Sequence, residues 1–283
     1  MPTIEDNLRT WGREYDWSRE GDEWSGPWGG TEMLWWGSLF PRIRAFVPAP
    51  RVLEIAPGYG RLSHYLRFLA EHLIVVDLNR NCIEACRERF SDSSNIEYHV
   101  NDGRSLEMVA DRSIDFAFSW DSLVHADRDS VESYVRELSS KLSVEGVAFI
   151  HHSNLAASGR PLQRLVGLLP GRLHERVARA VFAWRSDEMS AERFASICQA
   201  AGLRCITQEL VPWCLGTLVL SDCISVCTLP GSRWDRAPVV KQNRRFHAEA
   251  RGLKRLAELY GARDGVRTAP ASDRRTAAAG RAK

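Results

Sequence analysis

The sequence lacks any apolar run approaching the roughly 20 residues that a membrane-spanning helix needs, although 44% of its 283 residues are hydrophobic. Its seven cysteines form no Cys-x-x-Cys pair and show no zinc-ligand spacing. Cys82/Cys86 and Cys223/Cys227 recur at helix or strand spacing, so reduced thiols packed in a core are expected. No Gly-Lys-Ser/Thr ending follows its glycine-rich turn, which excludes the phosphate-cradling loop of nucleoside-triphosphate enzymes. No Gly-x-Ser-x-Gly occurs, which disfavours the nucleophile elbow of a hydrolase. The absence of an Asp-Asp pair leads us to expect no metal. Excess charge is scarce too: the net charge is only +2, but residues 241–283 hold 12 Lys/Arg against 4 Asp/Glu. The remainder carries 26 against 32, a mildly acidic body with a basic end. The last stretch, rich in Ala, Arg and Gly without aromatics, reads as a disordered tail over 261–283. The polar, Trp-rich N-terminus is unlike a signal peptide, so a cytoplasmic protein is expected.

What is present is concentrated in residues 51–60, Arg-Val-Leu-Glu-Ile-Ala-Pro-Gly-Tyr-Gly. An apolar run ends in Glu54, breaks at Gly58 and Gly60, and gives way to Leu62, Tyr65, Leu66 and Leu69 at helical spacing. That is a strand, a glycine-rich turn and a helix, the ligand-accepting corner of an α/β sheet. A second apolar strand, residues 73–76, ends on Asp77, a carboxylate placed to accept hydrogen bonds from a ribose. A dinucleotide fingerprint would place glycine where Ser63 stands. Glu54 would repel a pyrophosphate at close range but suits the amino group of an amino-acid moiety. These residues point to S-adenosylmethionine.

Here the chain resembles the class I S-adenosylmethionine-dependent methyltransferases. Their first motif, an acidic residue followed by alternating glycines, is matched by Glu54, Ala56, Gly58 and Gly60, with Ala56 where the family has its first glycine. Val75-Val76-Asp77-Leu78-Asn79 resembles the second strand with its ribose-binding acid. Asn101-Asp102-Gly103 resembles the adenine-contacting turn, and residues 113–119, ending in Ser119, the fourth strand. Residues 138–150 resemble the helix, turn and fifth strand. The resemblance covers residues 48–229 and implies an α/β, Rossmann-like, seven-stranded mixed sheet with its last strand antiparallel and helices on both faces.

Around this sheet we expect a Trp-rich N-terminal lid at 1–47, a methyltransferase domain at 48–260 and an inserted helical cap at 154–188. A helix is expected near 34–46. Two closing strands at 203–211 and 215–229 should be joined by a turn at 212–216, and a final helix should run over 239–260. Gly202 reads as a left-handed helix cap.

The cofactor set is therefore Glu54, Ala56, Gly58, Gly60, Arg61, Asp77, Leu78, Asp102, Gly103 and Ser119. A hydroxyl acceptor also needs a base, and two clusters offer one. Trp120 to His125 follows the fourth strand, with Asp121 and His125; His151-His152-Ser153-Asn154 follows the fifth. Successive residues of a strand point to opposite faces, so one of His151 and His152 should face the substrate. Six of ten tryptophans, at 11, 17, 24, 28, 35 and 36, interleave with acids, a composition that suits sugar rings and their hydroxyls. The cap would supply the opposite wall.

The closer resemblance, to bacterial enzymes that methylate sugar moieties of natural products or polysaccharides, implies O-methylation, with N-methylation of an amino sugar as the alternative. A non-catalytic cofactor-binding regulator is a further alternative. Expected partners are a small-molecule acceptor, without nucleic acid or stable membrane insertion; a homodimer is left open.

Overall fold

The computed structural model describes residues 3–158, 160–182, 184–213 and 219–261. The expected tail beyond Gly261 and most of the expected 212–216 turn lie outside them. The strands are β1 (Ala49–Ile55), β2 (Ala70–Asp77), β3 (Ile96–Val100), β4 (Ile114–Ser119), β5 (Leu142–Ser153), β6 (Arg204–Val211), β7 (Asp222–Thr228) and β8 (Val239–Gln242). They form one sheet in the order β3-β2-β1-β4-β5-β7-β6-β8. From β3 to β5 every pairing is parallel, whereas β7 runs antiparallel to both β5 and β6. The chain leaves β1 toward β2 on one side and returns to β4 on the other. That reversal opens a crevice at the carboxyl ends of β1 and β4.

The central strands read as continuous apolar runs because both faces are covered, as parallel sheets require. Val52, Phe116, Phe118, Val147 and Phe149 face one core with Trp28, Trp35 and Phe246. Their neighbours Leu53, Ile55, Ala117, Ala148 and Ile150 face the other, under the helices Arg128–Lys141 and Ala191–Ala200. Trp28 and Trp35 are fully buried, so this part of the N-terminal segment is core. Truncating either to alanine costs on the order of 3–5 kcal/mol. Arg42 fastens the same segment to β6 through two 2.8 Å hydrogen bonds to Glu209.

Several boundaries depart from expectation: among the described residues the strand expected over 215–229 spans only Asp222–Thr228, and the helix expected near 34–46 is a run of short helices from Thr31 to Ile43. The sheet has eight strands, not seven, because the stretch expected to begin the last helix is a strand: Val239 to Gln242 pair parallel with Thr207 to Leu210. Its β-branched Val239-Val240 favour the extended backbone that pairs with β6, so the helix starts only at Phe246. The helix expected over 62–69 is a short turn, Ser63–Leu66. Strand β5 does not end at Ile150. It continues through His151, His152 and Ser153, held by antiparallel pairing to Ile224, Cys223 and Asp222. At its other end Gly146 marks a register shift between β4 and β5, where a Cβ would sit 2.5 Å from the Ile114 carbonyl oxygen.

Candidate functional site

The turn after β1 carries three left-handed residues, Ala56 (φ 58°), Gly58 (58°) and Gly60 (78°). Alanine in this region is strained. It is held there because its N–H donates to the Val76 carbonyl (2.7 Å) and its carbonyl accepts from the Ser122 hydroxyl (2.7 Å). The two glycines have different reasons. A Cβ on Gly60 would meet the Phe90 ring at 2.6 Å, so that glycine serves helix packing and does not line the cavity. A Cβ on Gly58 would meet the Trp17 ring at 2.9 Å; there the bare backbone lies directly beneath the N-terminal segment.

Two buried carboxylates end the adjacent strands. Asp77 accepts from the Gly58 N–H (3.2 Å) and the Asn79 N–H (2.8 Å), so it shapes the turn as well as facing the cavity. Burial pushes its carboxyl up to about 6 against those two donors. Glu54 accepts from the Ser63 hydroxyl at 2.5 Å. Burial, reinforced by the Asp77 charge, pushes it up to about 7 despite that donor and the Arg61 charge. Ser63 thus occupies the place of the third glycine of a dinucleotide site and gives Glu54 a partner.

Glu54 should make ligand affinity pH-dependent. In the empty site its raised pKa leaves the carboxyl largely protonated below pH 7, while a bound ammonium group requires the anion. Affinity for an amino-acid-bearing nucleoside should rise up to about tenfold per pH unit from pH 5.5 to 7 and level off above. Calorimetric titration across that range, showing proton release on binding, checks this; an affinity flat with pH contradicts it.

Beyond β4 the chain enters the second cluster. Asp121, itself left-handed (φ 58°), sits between two guanidinium groups: Arg61 Nη2 at 3.5 Å and Arg185 Nη2 at 3.6 Å. The Arg185 Nε–H donates to both oxygens of Asp222 (2.7 and 2.9 Å). The Asp121 N–H donates to His151 Nδ1 (3.1 Å), so His151 carries its proton on Nε2 and donates it to Asp222 (2.9 Å). Against the upward push of complete burial, the Arg185 charge and the His151 hydrogen bond hold the Asp222 carboxyl well below the usual carboxylate range.

The histidines separate clearly. His151 lies beneath Trp120 and Trp213 with both ring nitrogens engaged and does not line the cavity. His152 points to the opposite face, stacked on Phe194 at 4.2 Å and bonded to Ser225. Burial pushes it down to about 4. His125 does line the cavity, packed 5.1 Å from Trp11. Its Nδ1–H donates to the Trp184 carbonyl (2.9 Å), and Nε2 has no partner among the described residues. Burial, then the Arg185 charge, pushes it down to about 4, so it stands neutral at pH 7 with a lone pair on Nε2.

These walls enclose about 360 Å³. Of the sequence-derived cofactor set, Glu54, Ala56, Gly58, Arg61, Asp77, Leu78 and Gly103 line it. Asp102 does not; its carboxylate caps its own loop at the Arg104 and Ser105 N–H groups. Ser119 is buried below. From the N-terminal segment come Trp11, Trp17 and Trp24, with Trp17 stacked on Tyr59 at 4.4 Å and 1°. From the 154–188 insert come Trp184 and Arg185. Sequence reasoning missed Ser130 and Asp222. Asp222 reaches the site only through the β5–β7 register, and no local signal announces it.

The cavity fits the nucleoside expected from sequence. A cradle at Gly58 has no room for a side chain, two carboxylates stand where an ammonium and a ribose would lie, and two buried donors on its wall, Trp120 Nε1–H and Ser130 Oγ–H, lack partners among the described residues. Glu54 would take the ammonium, Asp77 the ribose, and Leu78 and Gly103 would flank the base.

Residues 52–146 match the family described as "Methyltransferase domain". No protein with a curated description matches the chain. Among solved structures, the PH0226 protein of Pyrococcus horikoshii OT3 is 20% identical, with 68% of this chain and 88% of that one covered at a TM-score of 0.50. The [4+2]-cyclase SpnF is 13% identical, with 77% and 84% covered, also at 0.50. These likenesses show the fold. That one belongs to a cyclase means the reaction must be read from the site itself.

Proposed function

Taking as premise that residues 52–146 are a methyltransferase domain and that its cofactor is S-adenosylmethionine, we propose that the protein moves a methyl group to a hydroxyl of a small polar metabolite, a sugar moiety. The cofactor supplies an electrophilic methyl carbon, open to in-line displacement, on a sulfonium. The protein must align the acceptor and exclude water. Segment 3–24 acts as the lid and Trp184–Arg185 as the facing wall; their aromatic surfaces suit the C–H faces of a sugar ring. Arg61, Asp121 and Arg185 offer donors and an acceptor to its hydroxyls.

One observation carries the reading: the neutral His125, oriented by the Trp184 carbonyl, lines the cavity, and its Nε2 has no hydrogen-bond partner among the described residues. As the acceptor oxygen takes the methyl, Nε2 receives the hydroxyl proton. N-methylation of an amino sugar is the second reading, supported by Glu20 and Asp121 in the lining. The oxygen reading is preferred because Asp121 already lies between two arginines. A mass-spectrometric screen of neutral and amino sugars with S-adenosylmethionine should find gain of one methyl on a neutral sugar. Cofactor binding without any product would favour a regulatory role.

A further inference from the structure

We propose that the helical hairpin within the 154–188 insert docks the protein onto an anionic lipid bilayer through a leucine tip flanked by Arg164 and Arg172. The helices Arg160–Gly167 and Gly171–Phe182 are joined by a short turn. Val166 is turned inward and buried, whereas Leu165, Leu168 and Leu173, clustered around that turn, are 63%, 81% and 49% exposed. Arg164 and Arg172 flank them and are themselves exposed. Residues 155–174 contain no Asp or Glu, and residues 155–185 hold six arginines against one glutamate.

Leucines presented together at the tip of a helical hairpin are unfavourable in water unless something covers them. The surrounding charge selects what does. A cationic rim around an apolar tip matches the headgroup and acyl layers of an anionic bilayer, with arginine stems lying along the apolar layer and guanidinium groups at the phosphates. Nucleic acid would use the arginines but leave the leucines uncovered. The tip is also continuous with the site. Two residues beyond Phe182, Trp184 and Arg185 line the cavity, fixed by the Ser186 N–H to the Val124 carbonyl (2.8 Å) and by His125 to the Trp184 carbonyl. Docking would bring one cavity wall to the bilayer surface. Docking through this tip is independent of the acceptor chemistry proposed above.

The test is co-sedimentation of the full chain with vesicles of phosphatidylcholine alone or mixed with phosphatidylserine. Binding is expected only to the mixed vesicles and should weaken with salt. The triple variant Leu165→Ser/Leu168→Ser/Leu173→Ser and the double variant Arg164→Glu/Arg172→Glu should each lower vesicle affinity at least about tenfold. Both should leave S-adenosylmethionine affinity and the melting temperature unchanged, because these residues lie outside the site and the core. Wild-type protein that stays in the supernatant overturns the proposal. So does binding that survives the leucine variant, which would assign it to charge alone or to the exposed Leu256, Leu259 and Tyr260 of the last helix. A dimer in sedimentation velocity that the leucine variant dissolves would make the tip a contact between copies and overturn it equally.

Discussion

Replacing Asp77 by alanine should weaken S-adenosylmethionine binding by about 10- to 100-fold in calorimetry, with only a modest change in melting temperature. The residue has two roles in one carboxylate. It faces the cavity where a ribose would donate hydroxyl hydrogen bonds, and charge-assisted bonds of this kind are worth about 1.5–3 kcal/mol. It also accepts from the Gly58 and Asn79 N–H groups, fixing the turn whose bare backbone lies beneath Trp17. Alanine removes both roles. Asp77→Asn keeps one oxygen for Asn79 and should fall between the parent and alanine. An affinity within about threefold of the parent for the alanine variant would remove Asp77 from the cofactor site.

The second large effect is on turnover. His125→Gln should lower kcat by about 10²- to 10⁴-fold while leaving cofactor affinity near that of the parent. Glutamine can still donate to the Trp184 carbonyl and pack beside Trp11, so the ring's orientation partners survive while the basic nitrogen is lost. The pH profile separates catalysis from structure. Because His125 sits at about 4, its basic form already dominates above that pH. Parent turnover at saturating cofactor should therefore rise as pH climbs through about 4 and stay flat to neutrality, and the glutamine variant should lack that rise. Retained turnover would show that the acceptor needs no base from this residue.

The buried chain Arg61–Asp121–Arg185–Asp222–His151 explains why His125, and not the histidine pair, is the base candidate. In sequence, His151-His152 looked like a cluster leaving a central strand. Alternation correctly separates the two rings to opposite faces, but it cannot say what covers them. Strand β7 extends the ladder over both. It brings Asp222 to His151 and Ser225 to His152, so neither imidazole keeps a free nitrogen toward the cavity. The N-terminal tryptophans divide in the same way. Composition grouped all six, yet Trp28 and Trp35 are core, Trp36 is half exposed, and Trp11, Trp17 and Trp24 line the cavity.

The strand–turn–helix corner with Glu54, Gly58 and Asp77 is legible in the residues alone, because those constraints are local: a strand end, a turn needing left-handed backbone and an alternating or continuous apolar pattern act within a few residues of each other. Tertiary structure alone decided which side chains the cavity shares. Asp121, His125 and Arg185 line it, and Asp222, about a hundred residues from Asp121 along the chain, backs them from below the wall; only the reversal of strand order at β1 and β4 and the antiparallel register of β7 bring them together. Burial in that shared space then sets their protonation, lifting Glu54 and Asp77 and lowering His125, because desolvation depends on what packs around a group and not on its neighbours in sequence.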